Sequence, residues 1–252
     1  MRHLPAILLL AYAILTAQLI VRSELGLPFQ LWLAMLLPLV GFSFSATAAW
    51  RRPGWRRAFL FLGLTFLVSL FFECLGVATG WIYGGYHYTN RLGPLFLGLV
   101  PYVIPLTWFT MLYPSYVIAE RAVPPAWDRR KRWMAVAAVG AAAMLAWDLV
   151  LDPLMTYRGH WVWEAPGAYF GIPLQNFAGW WLTAFIILAL YLRLAEGRQA
   201  RPVPGPDASD RLVVLGYALI GLGSVVEAWL AGLVGPALVG LAAMTLFVIL
   251  GW

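Results

Sequence analysis

The sequence predicts an all-α fold: a polytopic integral membrane helical bundle of seven to eight transmembrane helices. Three observations predict it. Of 252 residues, 62% are apolar and only 11% charged, against about 25% charged in a soluble domain. Apolar runs close to the roughly 20 residues that a helix needs to cross the hydrocarbon core recur along the chain. Lys and Arg gather between alternate runs, which is the positive-inside pattern. The runs are too long and continuous for barrel strands. The formal charge of +6 thus marks orientation in a bilayer and predicts no nucleic-acid partner.

The first run, 4–21, follows Met1-Arg2-His3. It exceeds a signal-peptide core, and the cleavage-like Ala11-Tyr12-Ala13 falls too early in it, so it reads as a retained first span. Runs at 27–49, 58–79, 95–119, 133–152, 172–192 and 211–231 predict spans two to seven. The run 235–252 opens on Gly235-Pro236 and carries no charge. It reads as a short eighth span or an interfacial helix. Arg51, Arg52, Arg56 and Arg57 lie between runs two and three. Arg121, Arg129, Arg130, Lys131 and Arg132 lie between four and five, and Arg193, Arg198, Arg201 and Arg211 between six and seven. These three connections and the N-terminus share one side, predicted to be cytoplasmic in the inner membrane. The 3–4 and 5–6 connections then face outward. Residues 1–252 read as one membrane domain, and Arg201-Pro202-Val203-Pro204-Gly205-Pro206-Asp207 as a flexible link. The lone Cys74 excludes an internal disulfide and reads as a small buried hydrophobe.

Most of the 11 acidic residues are assigned to connections; Glu73, Asp148, Asp152 and Glu227 fall inside spans. An ionisable group there is a functional candidate by default. Glu73 lies 15 residues after Ala58, Asp148 15 after Trp133, and Glu227 16 after Arg211. At the helical rise, each sits roughly 22–24 Å from the cytoplasmic end. Three outward-running helices thus bring a carboxyl to one level, and Asp152 shares the helix face of Asp148 one turn on. Two readings stand. In the structural one the acids pair with Arg91 or Arg158, or hydrogen-bond across helices, and Asp152 marks a helix end before Pro153. In the chemical one, carboxyls sharing a low-dielectric site resist joint ionisation, and one serves as a general acid.

Aromatic motifs follow two of these acids. Gly80-Trp81-Ile82-Tyr83-Gly84-Gly85-Tyr86-His87-Tyr88 succeeds Glu73, and Gly159-His160-Trp161-Val162-Trp163, then Tyr169, succeeds Asp148. Ile104-Pro105-Leu106-Thr107-Trp108-Phe109 and Ile172-Pro173-Leu174-Gln175-Asn176-Phe177 come next. Each half reads acid, Trp-x-aromatic, then Ile-Pro-Leu-x-x-Phe, a divergent internal repeat of two-helix units in which Trp81-x-Tyr83 matches Trp161-x-Trp163. Interfacial Trp and Tyr also form aromatic belts. A belt leaves the acids and the in-span prolines unexplained, because proline frees backbone groups that protein or a cavity must satisfy. The prediction is a cavity lined by carboxyls, amide and aromatic faces, open sideways to lipid. His87 and His160 lie on the same side; their spacing gives no support to a metal site.

The stretch Glu73-x-x-Gly76-x-x-x-Gly80-Trp81-x-Tyr83, with Pro101-x-x-x-Pro105-x-x-Trp108, resembles a bacterial and archaeal membrane family. So does Asp148-x-x-x-Asp152-Pro153, with Gly159-x-Trp161-x-Trp163 and Tyr169-x-Gly171-Ile172-Pro173-Leu174-x-Asn176-Phe177-x-Gly179-Trp180. The family is that of carotenoid biosynthesis proteins, which includes the CruF-type carotenoid 1′,2′-hydratases and bisanhydrobacterioruberin hydratase. The resemblance covers about residues 70–181. It implies a cofactor-independent hydro-lyase that adds water across the C1=C2 bond of an acyclic carotenoid end. The substrate would be lycopene, gamma-carotene or similar, drawn from the bilayer, with other pathway enzymes as possible partners. Under that resemblance an acid protonates C2 and water captures the cation at C1. Asp148 or Glu73 is the expected donor, and Asp152 its partner or the group that orients water. Trp81, Tyr83, Tyr86, Trp108, Trp161, Trp163, Tyr169 and Asn176 are expected around the substrate, with Glu227, His87 and Gln175 in support. A lycopene-type cyclase, a prenyltransferase using Asp148-x-x-x-Asp152, and a carotenoid-binding or transport protein are the rival readings. The prenyltransferase lacks basic partners near its acids, and transporters favour inverted repeats with midplane sites.

Overall fold

The computed structural model describes residues 3–52, 54–196 and 208–252. Within them are eight α-helices: α1 (Leu4–Glu24), α2 (Leu31–Arg51), α3 (Trp55–Thr79), α4 (Ile104–Ala122), α5 (Arg129–Tyr157), α6 (Leu174–Glu196), α7 (Ala208–Leu230) and α8 (Val234–Gly251). All but α4 are long and apolar enough to cross a membrane. The chain is therefore an all-α multi-pass bundle, and 234–251 forms a span-length helix. The predicted flexible link, 201–207, lies outside the described residues.

Helix α4 falls short in hydropathy because it is ringed by protein. Fifteen of its nineteen residues are buried, and α2, α3, α5, α7 and α8 pack around it. A helix that meets side chains instead of lipid tolerates Thr, Tyr, Trp and charge. The predicted start of this span is corrected: residues 95–103 are not helical. Strands β2 (Leu95–Phe96) and β3 (Val100–Pro101) form a small hairpin there. Pro101 lacks the N–H a helix would use, and Leu97 and Gly98 adopt positive φ, so the chain turns before Pro105 opens α4.

Helix α5 corrects a second boundary. It runs through Pro153 to Tyr157, so Asp152 is not its end. Proline at 153 leaves the carbonyl four residues earlier without its helical donor, and the Tyr169 hydroxyl donates to that Leu149 carbonyl at 3.0 Å. Pro114 in α4 repeats the device: the Ser45 hydroxyl donates to the Thr110 carbonyl at 2.7 Å.

Helices α3 and α5 each pack against both α4 and α6. Exchanging α3 with α5 and α4 with α6 leaves this pattern unchanged, as a two-fold repeat requires. The two motif loops meet: β1 (Tyr86–Tyr88) pairs antiparallel with β4 (Trp161–Trp163), Tyr86 opposite Trp163 and Tyr88 opposite Trp161.

The opposite face holds a cluster that the sequence reading missed. Glu120 and Asp210, assigned to connections, are buried in α4 and α7. Arg52 pairs with both, at 2.9 and 2.5 Å, and Arg121 lies 3.8 Å from Asp210. Cys74 is free and half-buried in α3, less enclosed than expected.

Candidate active site

A cavity of about 510 Å³ is walled by α1, α2, α4, α5 and α7, with Glu73 of α3 and Trp180 of α6, and floored by the β1–β4 strand pair of the motif loops. Three of the four predicted acids line it: Glu73, Asp152 and Glu227. Their common depth survives the shift in helix boundaries. Glu73 lies 18 residues into α3 from Trp55, and Glu227 19 into α7 from Ala208. Asp148, 19 residues from Arg129, shares that level but faces away from the cavity, fully buried behind Asp152.

Strand alternation sets the floor. Residues two apart share a face, so Tyr86 and Tyr88 turn inward while His87 is exposed. Across the ladder Trp161 is buried and Val162 exposed. The Tyr86 and Tyr88 hydroxyls donate to Glu73 Oε2 at 2.5 and 2.8 Å. Trp108 Nε1 donates to Glu73 Oε1 at 2.9 Å. Burial and the Glu73 carboxyl push both phenols well above the usual tyrosine range, so they remain neutral donors.

The second carboxyl centre is built by the other half of the repeat. Trp161 Nε1 donates to Asp152 Oδ1 at 2.7 Å, and Asn176 Nδ2 to Asp152 Oδ2 at 2.5 Å. The same amide nitrogen donates to Asp148 Oδ2 at 3.1 Å. Asp148 Oδ1 is buried with no hydrogen-bond partner among the described residues. The correspondence is therefore Glu73 with Asp152, Tyr86-x-Tyr88 with Trp161-x-Trp163, and Trp108 with Asn176. The two in-span motifs aligned on Pro105 and Pro173 already equate Trp108 and Asn176. The expected match of Trp81-x-Tyr83 to Trp161-x-Trp163 is thus corrected by the strand register.

Several predicted site residues act elsewhere. Trp81 is 78% exposed and points out of the bundle. Tyr83 is wedged between α3 and α6: a Cβ on Gly76 or Gly179 would stand 2.5 or 2.6 Å from its ring, and its hydroxyl meets Thr183 at 2.9 Å. Trp163 stays off the cavity wall and packs on Tyr86, ring centres 5.1 Å apart. Gln175 donates to the Gly80 and Trp81 carbonyls past the end of α3. Tyr169 braces Leu149, its phenol raised to about 12 by burial and Asp148. His87 faces outward and is not brought to the site.

The sequence reading missed Tyr88, Trp147 and Trp180, which complete the aromatic wall. Trp180 stacks on Trp108 at 4.4 Å. Tyr88 was legible as the residue two after Tyr86 on one strand face. Also missed were Arg22, Ser23, Arg91, Arg158 and His160 at the mouth. Burial first, then Arg91 and Arg158, lower the His160 imidazole to about 4, so it is neutral there.

A family model described as "Carotenoid biosynthesis protein" matches residues 6–247. The chain is 35% identical over 137 residues to bisanhydrobacterioruberin hydratase of Haloarcula japonica, covering 54% of this chain and 45% of that protein. The chain thus matches a little under half the length of that curated relative. No solved structure matches.

Proposed function

We propose that this chain, which belongs to the carotenoid biosynthesis protein family, is a hydratase that adds water across the C1=C2 bond of an acyclic carotenoid end. One observation carries the reading: two buried carboxyl centres, at Glu73 and Asp152, flank an aromatic floor inside one cavity. The name of the 35% identical relative supports water addition in particular.

The chemistry balances without a cofactor. The Asp148–Asp152 couple holds one proton, because Asn176 draws both carboxyls onto one amide and adjacent buried like charges repel. Asp152, the member on the cavity, gives that proton to C2, and the C1=C2 π pair becomes the new C–H bond. The tertiary cation left at C1 faces the π surfaces of Tyr88, Trp108, Trp161 and Trp180. Water adds to C1 and its excess proton returns to a carboxylate. Glu73, which accepts three hydrogen bonds, is a preorganised polar group on the same cavity wall, held in place to face the developing cation. The earlier expectation of direct donation by Asp148 or Glu73 is revised to Asp152, with Asp148 behind it. The substrate enters from the bilayer beside the apolar residues of α2, and the Arg-rich ends of α2 and α5 face the cytoplasm.

Expression in a lycopene-producing bacterium, followed by mass spectrometry of the pigments, tests this. A gain of one water per modified end is expected. An isomer of unchanged mass with fewer open ends would make it a cyclase, and unaltered pigment from folded protein would remove the enzymatic reading.

A further inference from the structure

The motif-face mouth of the cavity contrasts with its aromatic interior. Arg22 and Ser23 from α1, Arg91, Arg158, His160 and Glu227 all line it. Most of these groups are tied down. Arg158 donates to Ser23 Oγ at 2.7 Å, Arg91 donates to the Arg158 carbonyl at 2.5 Å, and Arg22 to the Pro28 carbonyl at 3.3 Å. The Arg158–Glu227 pair is looser, at 4.0 Å, with side chains 30% and 20% exposed. His160 Nδ1 is buried without a hydrogen-bond partner among the described residues and is neutral, so it can accept or donate. A water needs two to four polar partners to be held in a cavity, and this wall supplies them between the surface and Asp152. Tyr12, Gln30, Thr107 and Thr110 add scattered polar side chains elsewhere in the lining, while Leu27, Phe29, Leu33, Leu37 and Ile104 supply none.

Resting on the hydratase reading, we infer that the Arg158–Glu227 pair, with Ser23 and His160, is the water intake, and that Glu227 is a positioning residue which holds water ready for the cation. Its role is separate from proton donation. Without positioned water, the cation at C1 still forms, then loses a proton from C2 to a carboxylate and regenerates the alkene. In D₂O that futile cycle leaves deuterium in recovered, unhydrated pigment. The ratio of hydrated product to deuterated alkene therefore reads water capture apart from protonation.

The experiment runs the whole protein in detergent with lycopene in D₂O and measures both species by mass spectrometry. Glu227→Gln is expected to lower the ratio about tenfold, the effect of losing one hydrogen bond to a charged group, while the summed rate of deuterium entry stays within about twofold of wild type. Glu227→Asp should recover part of the ratio. Ser23→Ala, which removes one hydroxyl from the same wall, should shift it the same way to a smaller extent and serves if Glu227→Gln does not fold. An unchanged ratio in the folded variants overturns the inference, as does a parallel fall in hydration and deuterium entry. A wild-type protein that neither hydrates nor exchanges lycopene would instead remove the hydratase reading itself.

Discussion

Glu73 and Asp152 occupy equivalent places in the repeat and have different company. Glu73 accepts from Tyr86, Tyr88 and Trp108 and Asp152 from Thr156, Trp161 and Asn176, but only Asp152 has a second carboxyl behind it on the same Asn176 amide. In the proposed mechanism that asymmetry divides the roles. Asp152→Asn is expected to lower hydration by about 10²–10⁴-fold, the range for losing a general acid, with Asp148→Asn a smaller loss. Both are read as product formed per folded molecule. A Tyr88→Phe variant keeps the ring and removes one donor to Glu73, so its expected loss is about tenfold. His160 adds a pH signature. Its imidazole is at about 4 in the fold and near 6.5 unfolded. The unfolded chain therefore binds the extra proton across that window. Stability tied to His160 is complete above about pH 6.5 and declines as the pH falls toward 4. In His160→Asn, the thermal midpoint should lose that part of its acid dependence.

At the scale of elements, prolines and glycines carry the fold's least replaceable contacts. Tyr169→Phe leaves the Leu149 carbonyl without the hydroxyl that meets it, a loss of about 1–3 kcal/mol. Adding Pro153→Ala restores a helical N–H and should return most of the lost thermal midpoint, a recovery that a simple packing defect would not show. Gly179→Ala drives a methyl into the Tyr83 ring and should destabilise the α3–α6 contact. These elements also show what was legible beforehand. Acid positions within helices followed from fixed helical rise: Glu73, Asp148 and Glu227 fall 18, 19 and 19 residues after the first residues of α3, α5 and α7. The equivalence of Tyr86-x-Tyr88 with Trp161-x-Trp163 did not, because it depends on strand register between loops about 75 residues apart. Asp148 was placed correctly in depth and not in direction: a helix face could not be assigned to cavity or core before its neighbours were known.

The whole molecule is polarised. One face carries the motif loops with the β1–β4 strand pair and the polar end of the cavity; the other carries the helix ends rich in Arg and the buried Arg52–Glu120–Asp210 cluster. Charge segregation was visible in the sequence, but the burial of Glu120 and Asp210 was not, since short connections hid which helix ends pack together. The orientation is testable with His87→Cys, placed on an exposed residue of the motif face in a Cys74→Ala background. A membrane-impermeant maleimide should label it in intact cells; labelling only after permeabilisation would reverse the bundle. In the proposed function the bilayer delivers a hydrocarbon and the motif face delivers water, meeting at Asp152. The most direct measurement of that meeting is oxygen tracing. Purified protein turning over lycopene in ¹⁸O-water should place one labelled oxygen at each modified end, and Asp152→Asn should place almost none. Product oxygen drawn from dioxygen, or an isomer with no oxygen at all, would contradict the account.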